Sequence, residues 1–362
     1  MRILIFCHSI LSDWNHGNAH FLRGITTELM RRGHVVKIFE TENARSLRNL
    51  LADRGEAAIS AFRTAYPGID VTRYHLAALD LASELDRADI VLVHEWNDHD
   101  LVRRIGEHRA RGGAYKLLFH DTHHRAVTDR ASVARYDLRD YDGVLAFGGV
   151  IRDLYLSRGW ARQAWTWHEV ADTNVFHPRE NHRYEGDLVW IGNWGDDERT
   201  SELEQFLLGP VRDLRLKARV YGVRYPDSAR AALADAGIEY CGWLPNFQAP
   251  DVFAKFRVTV HVPRRPYATA LPGIPTIRIF EALACGIPLV SAPWDDTEDL
   301  FTPGEDFLVA KSGEEMKQRL SDLLANPERA RRIANHGLET IRKRHTCAHR
   351  VDELMSVCGQ EN

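Results

Sequence analysis

Short runs of apolar, mostly β-branched residues alternate along this chain with longer stretches whose apolar positions recur every three to four residues. That alternation is the pattern of βαβ units laid on a parallel sheet. In the first half the runs at 3–7, 35–39, 90–93, 115–119, 144–147 and 164–167 predict strands. Residues 19–32, closed by Gly33, predict an amphipathic helix, and 100–109 and 151–157 predict two more.

Between 170 and 187 the pattern breaks into a polar stretch with the composition of a linker, so a domain boundary is placed there. The alternation then restarts, with strands at 188–191, 218–221, 238–241, 258–262, 288–291 and 307–309. Helices are predicted at 201–208, 228–236 and 276–285, over 314–343, and last at about 348–357. The expected organisation is an N-terminal Rossmann-like domain at 1–170 joined by a C-terminal helix at 346–362, a hinge linker at 171–187, and a second Rossmann-like domain at 188–345. Two doubly wound α/β domains should face each other across a cleft, with the active site at the carboxyl ends of the strands.

Composition narrows this only a little. A chain of 362 residues exceeds what one core usually serves, and 44% apolar with 27% charged residues is a globular balance. Lys plus Arg (47) nearly matches Asp plus Glu (51), so no global field draws in nucleic acid or anionic lipid, and no nucleic-acid partner is expected. The five cysteines are scattered and form no CxxC pair, which reads as a reducing compartment. The opening apolar run is too short for a signal sequence, and no stretch is long enough to span a bilayer, although peripheral association stays open. A cytoplasmic protein is expected.

The segment 271–291 carries the chemistry. It reads as a loop, a helix opened by Pro275, a stop at Gly286 and a buried strand. Ile277, Phe280 and Ala284 fall on one helix face for the core, while Arg278 and Glu281 share another three residues apart. Glu281 should therefore lie opposite the core, where its replacement leaves folding intact. The helix start presents backbone N–H groups and a positive dipole end, a site for a diphosphate.

These residues resemble the signature of retaining glycosyltransferases of family 4, which have the GT-B fold, and more nearly a divergent branch similar to the spore-maturation CgeB-type enzymes. The resemblance implies transfer of a sugar from a nucleoside diphosphate sugar, of UDP or GDP type, with no further cofactor. It gives Glu281 the ribose hydroxyls, and Thr276 and Ile277 the diphosphate, with the Thr276 hydroxyl as an extra donor. The family pairs this glutamate with an earlier one whose place falls on Gly273, and that departure bears on contacts to the donor sugar.

Other segments match in order. Val170 to Pro178 is similar to the family hinge, and Gly192-Asn193 followed by Arg199 to its phosphate-binding strand end, with Arg199 as the remaining cation and Arg265 as a second. Trp243 and Leu244 lie where the nucleobase is read. In the first half, the loop His16-Gly17-Asn18 follows a strand, and Gly17 permits close approach to phosphate or sugar. It is no G-x-G-x-x-G fingerprint, which disfavours a nicotinamide cofactor. His120-Asp121 resembles the family's His-Asp strand end, whose His lies beside the donor sugar. His94-Glu95 ends a neighbouring strand and faces the acceptor.

Metal is not expected, since adjacent ligands such as His120, His123 and His124 on one loop rarely close a coordination sphere. Of the D-x-D pairs, Asp140/Asp142 sits at the wrong strand end, and Asp98 of Asp98/Asp100 caps a helix. Charge on the leaving diphosphate would then fall to Arg199, Arg265 and the helix start. An inverting route would need His120, Asp121 or Glu95 as base. An epimerase of the same shape and a non-catalytic nucleotide-sugar-binding protein are the alternatives.

Overall fold

Ile3, Leu4, Ile5 and Phe6 are all buried, as a strand in the middle of a parallel sheet requires, and β1 (Arg2–Cys7) pairs on both sides. The computed structural model describes residues 1–180 and 183–359. Asn181 and His182 of the predicted linker, and positions 360–362 of the predicted last helix, lie outside the described residues.

The chain divides into two compact units, Met1–Glu169 with Cys347–Asn362, and Val170–Thr346. In the first, β1 is joined by β2 (Val35–Thr41), β3 (Val71–Tyr74), β4 (Ile90–His94), β5 (Lys116–Asp121), β6 (Gly143–Ala146) and β7 (Ala164–Thr166). Their order is β3-β2-β1-β4-β5-β6-β7. In the second unit β8 (Gly186–Ile191), β9 (Ala218–Tyr221), β10 (Ile238–Tyr240), β11 (Phe256–His261), β12 (Leu289–Ser291) and β13 (Leu308–Val309) lie in the order β10-β9-β8-β11-β12-β13. Pairing is parallel throughout both sheets, with Ile5 opposite Ile38 on one side and Leu92 on the other, and Val189 opposite Arg219 and Thr259.

Each sheet reverses its winding once, between β1 and β4 in one unit and between β8 and β11 in the other. Loops leaving the carboxyl ends of two strands at such a switch part to opposite faces of the sheet and leave a crevice. Residues 8–17 and 95–98 therefore frame one switch, and 192–199 and 262–265 the other.

Four helices position the polar strand ends: α1 (Asn18–Arg31), α2 (Gly149–Ser157), α3 (Ile277–Ala284) and α4 (Cys347–Val357). Gly33 at φ +84° lets the chain turn out of α1 and Gly286 at φ +65° out of α3, a backbone region that L side chains resist. The helical stretch predicted over 314–343 is two helices, Gly313–Ala325 and Pro327–Arg344. Asn326 breaks it, its side chain accepting from the Arg329 amide at 3.1 Å while Pro327 opens the next turn. The predicted helix 201–208 passes from an α turn at Thr200–Leu203 into a π-helical segment at Glu204–Leu208 and on to Gly209–Leu214. Strand β3 is absent from the prediction, being four residues with only Tyr74 buried.

Helix α4 packs within the first unit. Val351, Leu354 and Met355 are buried there, Trp167 Nε1 donates to the Arg350 carbonyl (2.8 Å), and Arg350 Nε donates to the His168 carbonyl (3.0 Å). Among the described residues no helix is long and apolar enough to cross a membrane.

Candidate active site

In the second unit, α3 begins at Thr276, whose side chain does not cap the helix. Its hydroxyl lies 3.0 Å from His261 Nε2 at the end of β11. Ser291 Oγ donates to the Ala292 carbonyl (2.7 Å), so it accepts from His261 Nδ1–H (2.9 Å). Nε2 is then the bare nitrogen and takes the Thr276 proton. Burial, and after it the Arg199 charge, pushes the His261 pKa down to about 3, which keeps the ring neutral. The expected donor role of Thr276 is thereby corrected: toward a ligand its oxygen offers lone pairs, and donation falls to the backbone amides of the first turn.

Glu281 is also corrected. It is fully buried, so its place opposite the core face does not leave folding indifferent to its replacement. Oε1 accepts from Asn246 Nδ2 (3.2 Å) and Oε2 from Arg278 Nη1, so the carboxylate ties α3 to the segment carrying Trp243 and Leu244. Those two residues are half-buried and stand outside the hydrophobic core of the unit.

Arg199 does not project toward solvent. Nη1 donates to the Val262 carbonyl (2.9 Å), Nη2 to the Asn193 carbonyl and Nε to the Trp194 carbonyl (3.4 Å), and the guanidinium lies over Trp190. Burial, then the nearby charges of Arg264 and Arg278, pushes its pKa down to about 9. It clamps the two loops at the β8/β11 switch, and the cations with more access are Arg264 and Arg278. Arg265, half exposed, is tied to Glu202 (2.9 Å) and Ser201 (3.2 Å), as Arg264 is to Glu198 (3.3 Å). The Gly192 amide donates to the Tyr221 carbonyl (2.8 Å), and Asn193 Oδ1 accepts from Val223 N (2.9 Å). These two bonds shape the strand end.

Gly273 takes φ +81°, and a Cβ there would lie 2.7 Å from the Glu298 carboxylate. A side chain at 273 would have to displace the Glu298 side chain and take up a left-handed backbone that L residues resist, and Glu298 itself occupies that side. His261, Asn246, Arg264, Arg278 and Glu298 thus belong to this site without having been assigned to it from sequence. The one signal for them was the shared helix face of Arg278 and Glu281.

In the first unit the loop after β1 is fixed by two buried anchors. The Glu40 carboxylate accepts from the amides of Ile10 (2.8 Å) and Leu11 (3.2 Å), and Arg23 of α1 bridges Asp13 (2.8 Å) and the Ile10 carbonyl (2.9 Å). They set His16 and Asn18 at the switch point. Gly17 has an ordinary helical φ of −63°, so any close approach there comes from its missing side chain and not from a left-handed backbone. His94 and His120 are buried and His16 half-buried, with neighbouring rings, His16 to His94 at 6.3 Å and His94 to His120 at 5.2 Å.

Asp121 takes a supporting place and not the catalytic one expected of it. Oδ2 accepts from Tyr155 of α2 (2.7 Å) and Oδ1 from the His123 amide (3.1 Å), both below the surface. Glu95 is likewise buried, its Oε1 holding the Thr122 amide (2.9 Å), which fits a brace for the loop after β5 and not an acceptor contact. Asp98 stands at a helix N-cap without a side-chain cap bond, and Asp142 Oδ2 accepts from Leu117 N (2.7 Å) at the amino end of its strand. Among the described residues no three His, Cys, Asp or Glu side chains are placed to hold a metal ion.

Glu95 and Asp121 hydrogen-bond each other, and burial raises both pKa values. A carboxyl whose pKa is raised by folding contributes most below its unfolded value near 4.5 and loses that contribution as pH rises. Glu95→Gln should therefore gain on the parent in unfolding free energy between pH 5 and pH 8. If the variant instead loses ground over that range, the carboxylate is charged and held by Arg125, 3.7 Å away.

Residues 199–356 match a family model described as glycosyl transferase-like. Three solved structures share the whole architecture at low identity. Sucrose-phosphate synthase from Thermosynechococcus elongatus is 14% identical over 98% of both chains, with a TM-score of 0.66. HepE of Anabaena, solved with UDP and glucose, is 14% identical over 98% of this chain and 99% of that one, at 0.67. An α-glucosyltransferase in complex with UDP-glucose and DNA containing an abasic site is 11% identical over 99% of both, at 0.70. The fold is GT-B. Together with the matched segment it supports a glycosyltransferase. No protein of curated function matches the sequence.

Proposed function

We propose that the chain transfers a hexose from a nucleoside diphosphate sugar, with retention at the anomeric carbon and without a divalent cation. The observation that carries this reading is the start of α3, where first-turn amides without a side-chain cap meet Arg278 of the same turn and the buried Arg199 charge acts on His261 behind Thr276, with Arg264, paired to Glu198 (3.3 Å), beside Arg199. A diphosphate seated there meets positive charge fixed in advance of the reaction, the condition under which such charge lowers a barrier. UDP is the nucleotide favoured, because structural neighbours are described with UDP and UDP-glucose.

In this reading the Glu281 region receives the ribose, Trp243 and Leu244 border the base, and Glu298 meets the hydroxyl groups of the donor sugar in place of an acid at 273. The C1–O bond to the β-phosphate breaks as the acceptor oxygen bonds to C1 from the same face, and the acceptor proton passes to the departing phosphate oxygen. No protein base is needed, which agrees with Asp121 and Glu95 being occupied elsewhere.

The test is release of UDP from UDP-glucose by the full chain, with nucleotide binding followed by titration calorimetry. Turnover should persist in EDTA. Loss of turnover in EDTA that manganese restores would remove the metal-independent mechanism. Interconversion of UDP-glucose with a second UDP-sugar would make the protein an epimerase.

A further inference from the structure

Strand β8 lies between β9 and β11, and the segment that leaves its carboxyl end is tied to the loops that follow both neighbours. Asp196 pairs with Arg224 after β9 (3.0 Å), while Glu198 pairs with Arg264 (3.3 Å) and Glu202 with Arg265 (2.9 Å), both after β11. Every side chain in these pairs is a quarter or more exposed, and ion pairs that water screens in this way add little to folding stability.

The backbone that brings the pairs together is strained. Among the described residues only five other than glycine take a positive φ, and both partners of the first pair are among them, Asp196 at +52° and Arg224 at +60°, next to Gly195 at +88°. The chain beyond Glu202 then widens into the π-helical segment Glu204–Leu208, a rare form that is frequent at functional sites. Strain held by weak surface pairs points to a use other than folding.

The use follows from where the acids lie. Arg199 donates to the Val262 carbonyl (2.9 Å), two residues before Arg264, and to the Asn193 and Trp194 carbonyls at the root of the acidic segment. Burial, then the Arg264 charge, lowers the Arg199 pKa, and burial, then the Arg199 charge, lowers that of His261, which bonds Thr276 at the start of α3. Glu198 therefore sets a carboxylate on a cation beside the place proposed for the diphosphate. Carboxylate and phosphate make the same kind of bond to a guanidinium, so they compete for Arg264, and a terminal phosphate brings more charge and more acceptor oxygens than Glu198.

Resting on the donor reading above, we propose that residues 195–202 form a clasp in which Glu198 occupies Arg264 until a nucleoside diphosphate takes its place, and in which the return of Glu198 speeds departure of the product nucleotide. The clasp responds to the diphosphate and is indifferent to the base. It lowers affinity for the nucleotide and hastens its release, the step that limits turnover in many enzymes.

Titration calorimetry on the full chain tests this with UDP and uridine, on the parent, Glu198→Gln, Arg264→Gln, the double variant and Glu339→Gln, which removes an equal charge from the exposed Glu339–Lys343 pair of the same unit. Glu198→Gln should bind UDP about three- to tenfold tighter than the parent, with UDP release in stopped flow slowed to match, and the gain should shrink at about 0.5 M salt. Uridine binding by Glu198→Gln, and UDP binding by Glu339→Gln, should stay at parental values. Most of the gain should vanish in the Arg264→Gln background, because the carboxylate then has no cation to withhold. A Glu198→Gln protein that binds UDP less tightly than the parent would overturn the proposal, as would a gain shared by uridine or by Glu339→Gln, or one that survives in full without Arg264. Equal UDP affinity in the parent and Glu198→Gln removes the clasp and leaves the donor site standing, whereas no UDP binding by any of the proteins removes the donor reading itself and the clasp with it.

Discussion

A chain ending at Thr346 should lose its first unit while keeping its second. Helix α4 buries Cys347, Val351, Leu354 and Met355 within the first unit, and exposing four such side chains removes roughly 1.5 to 3 kcal/mol apiece. The sum is comparable to the whole stability of a domain, about 5 to 15 kcal/mol. Polar losses add to it. Trp167 Nε1 would lose the Arg350 carbonyl inside a closed core, the His168 carbonyl would lose the Arg350 guanidinium, and Arg32 would lose Asp352 (2.5 Å). Hydrogen exchange separates the units: amides of β1, β4 and β5 should lose protection, while those of β8 and β11 keep theirs. Equal protection of β1 in the shortened and full chains would show that α4 is an appendage. The single substitution Leu354→Ala should cost about 2 to 5 kcal/mol by the same logic, as a large-to-small change at a fully buried position.

The fold was readable because parallel strands buried on both faces leave uninterrupted apolar runs, and the helices between them show a three-to-four period with glycine stops. Ile3 to Phe6 and Val144 to Phe147 are of that kind. Val71–Tyr74 escaped because an edge strand with one buried residue has no such run, and the break at Asn326 was hidden because helical periodicity continues on both sides of it. Strand ends were readable as places where polar residues follow apolar ones, which brought out His94, His120 and Gly192.

What those polar residues do was not readable, because it depends on contacts far away in sequence. Arg199 is spent on carbonyls at 193, 194 and 262, Asp121 on Tyr155, and the Thr276 proton on His261. A residue type at a strand end says which chemistry is possible, and the partner it finds decides whether that chemistry is left over for a ligand. The burial of Glu281 has the same origin. Its helix face lies apart from the core face of Ile277, Phe280 and Ala284, but Asn246 from another segment closes over it.

Glu281 and Arg278 should separate on two measurements, although each breaks the same ion pair. Glu281→Ala leaves Arg278 without its carboxylate and Asn246 without its acceptor. Breaking a buried pair costs about 3 to 5 kcal/mol, and the lower end applies here because Arg278 is 30% exposed and water can take up part of its charge. Glu281→Gln keeps the volume and the Asn246 hydrogen bond, so the loss should fall to about 1 to 3 kcal/mol, with nucleotide binding about tenfold weaker. Arg278→Ala removes a cation beside the first turn of α3, where the leaving diphosphate gains charge as the sugar departs. An interaction that strengthens in the transition state is read in kcat more than in KM, and loss of one such group costs about 100- to 1000-fold. Denaturant unfolding, UDP calorimetry and donor turnover on the single variants and on Glu281→Gln/Arg278→Ala resolve the two roles. In the double variant the stability losses should be less than additive, since the pair is already broken, while the turnover loss of Arg278→Ala should persist in full. An Arg278→Ala protein that releases UDP at the parental rate would take the diphosphate away from the start of α3, and the donor site with it.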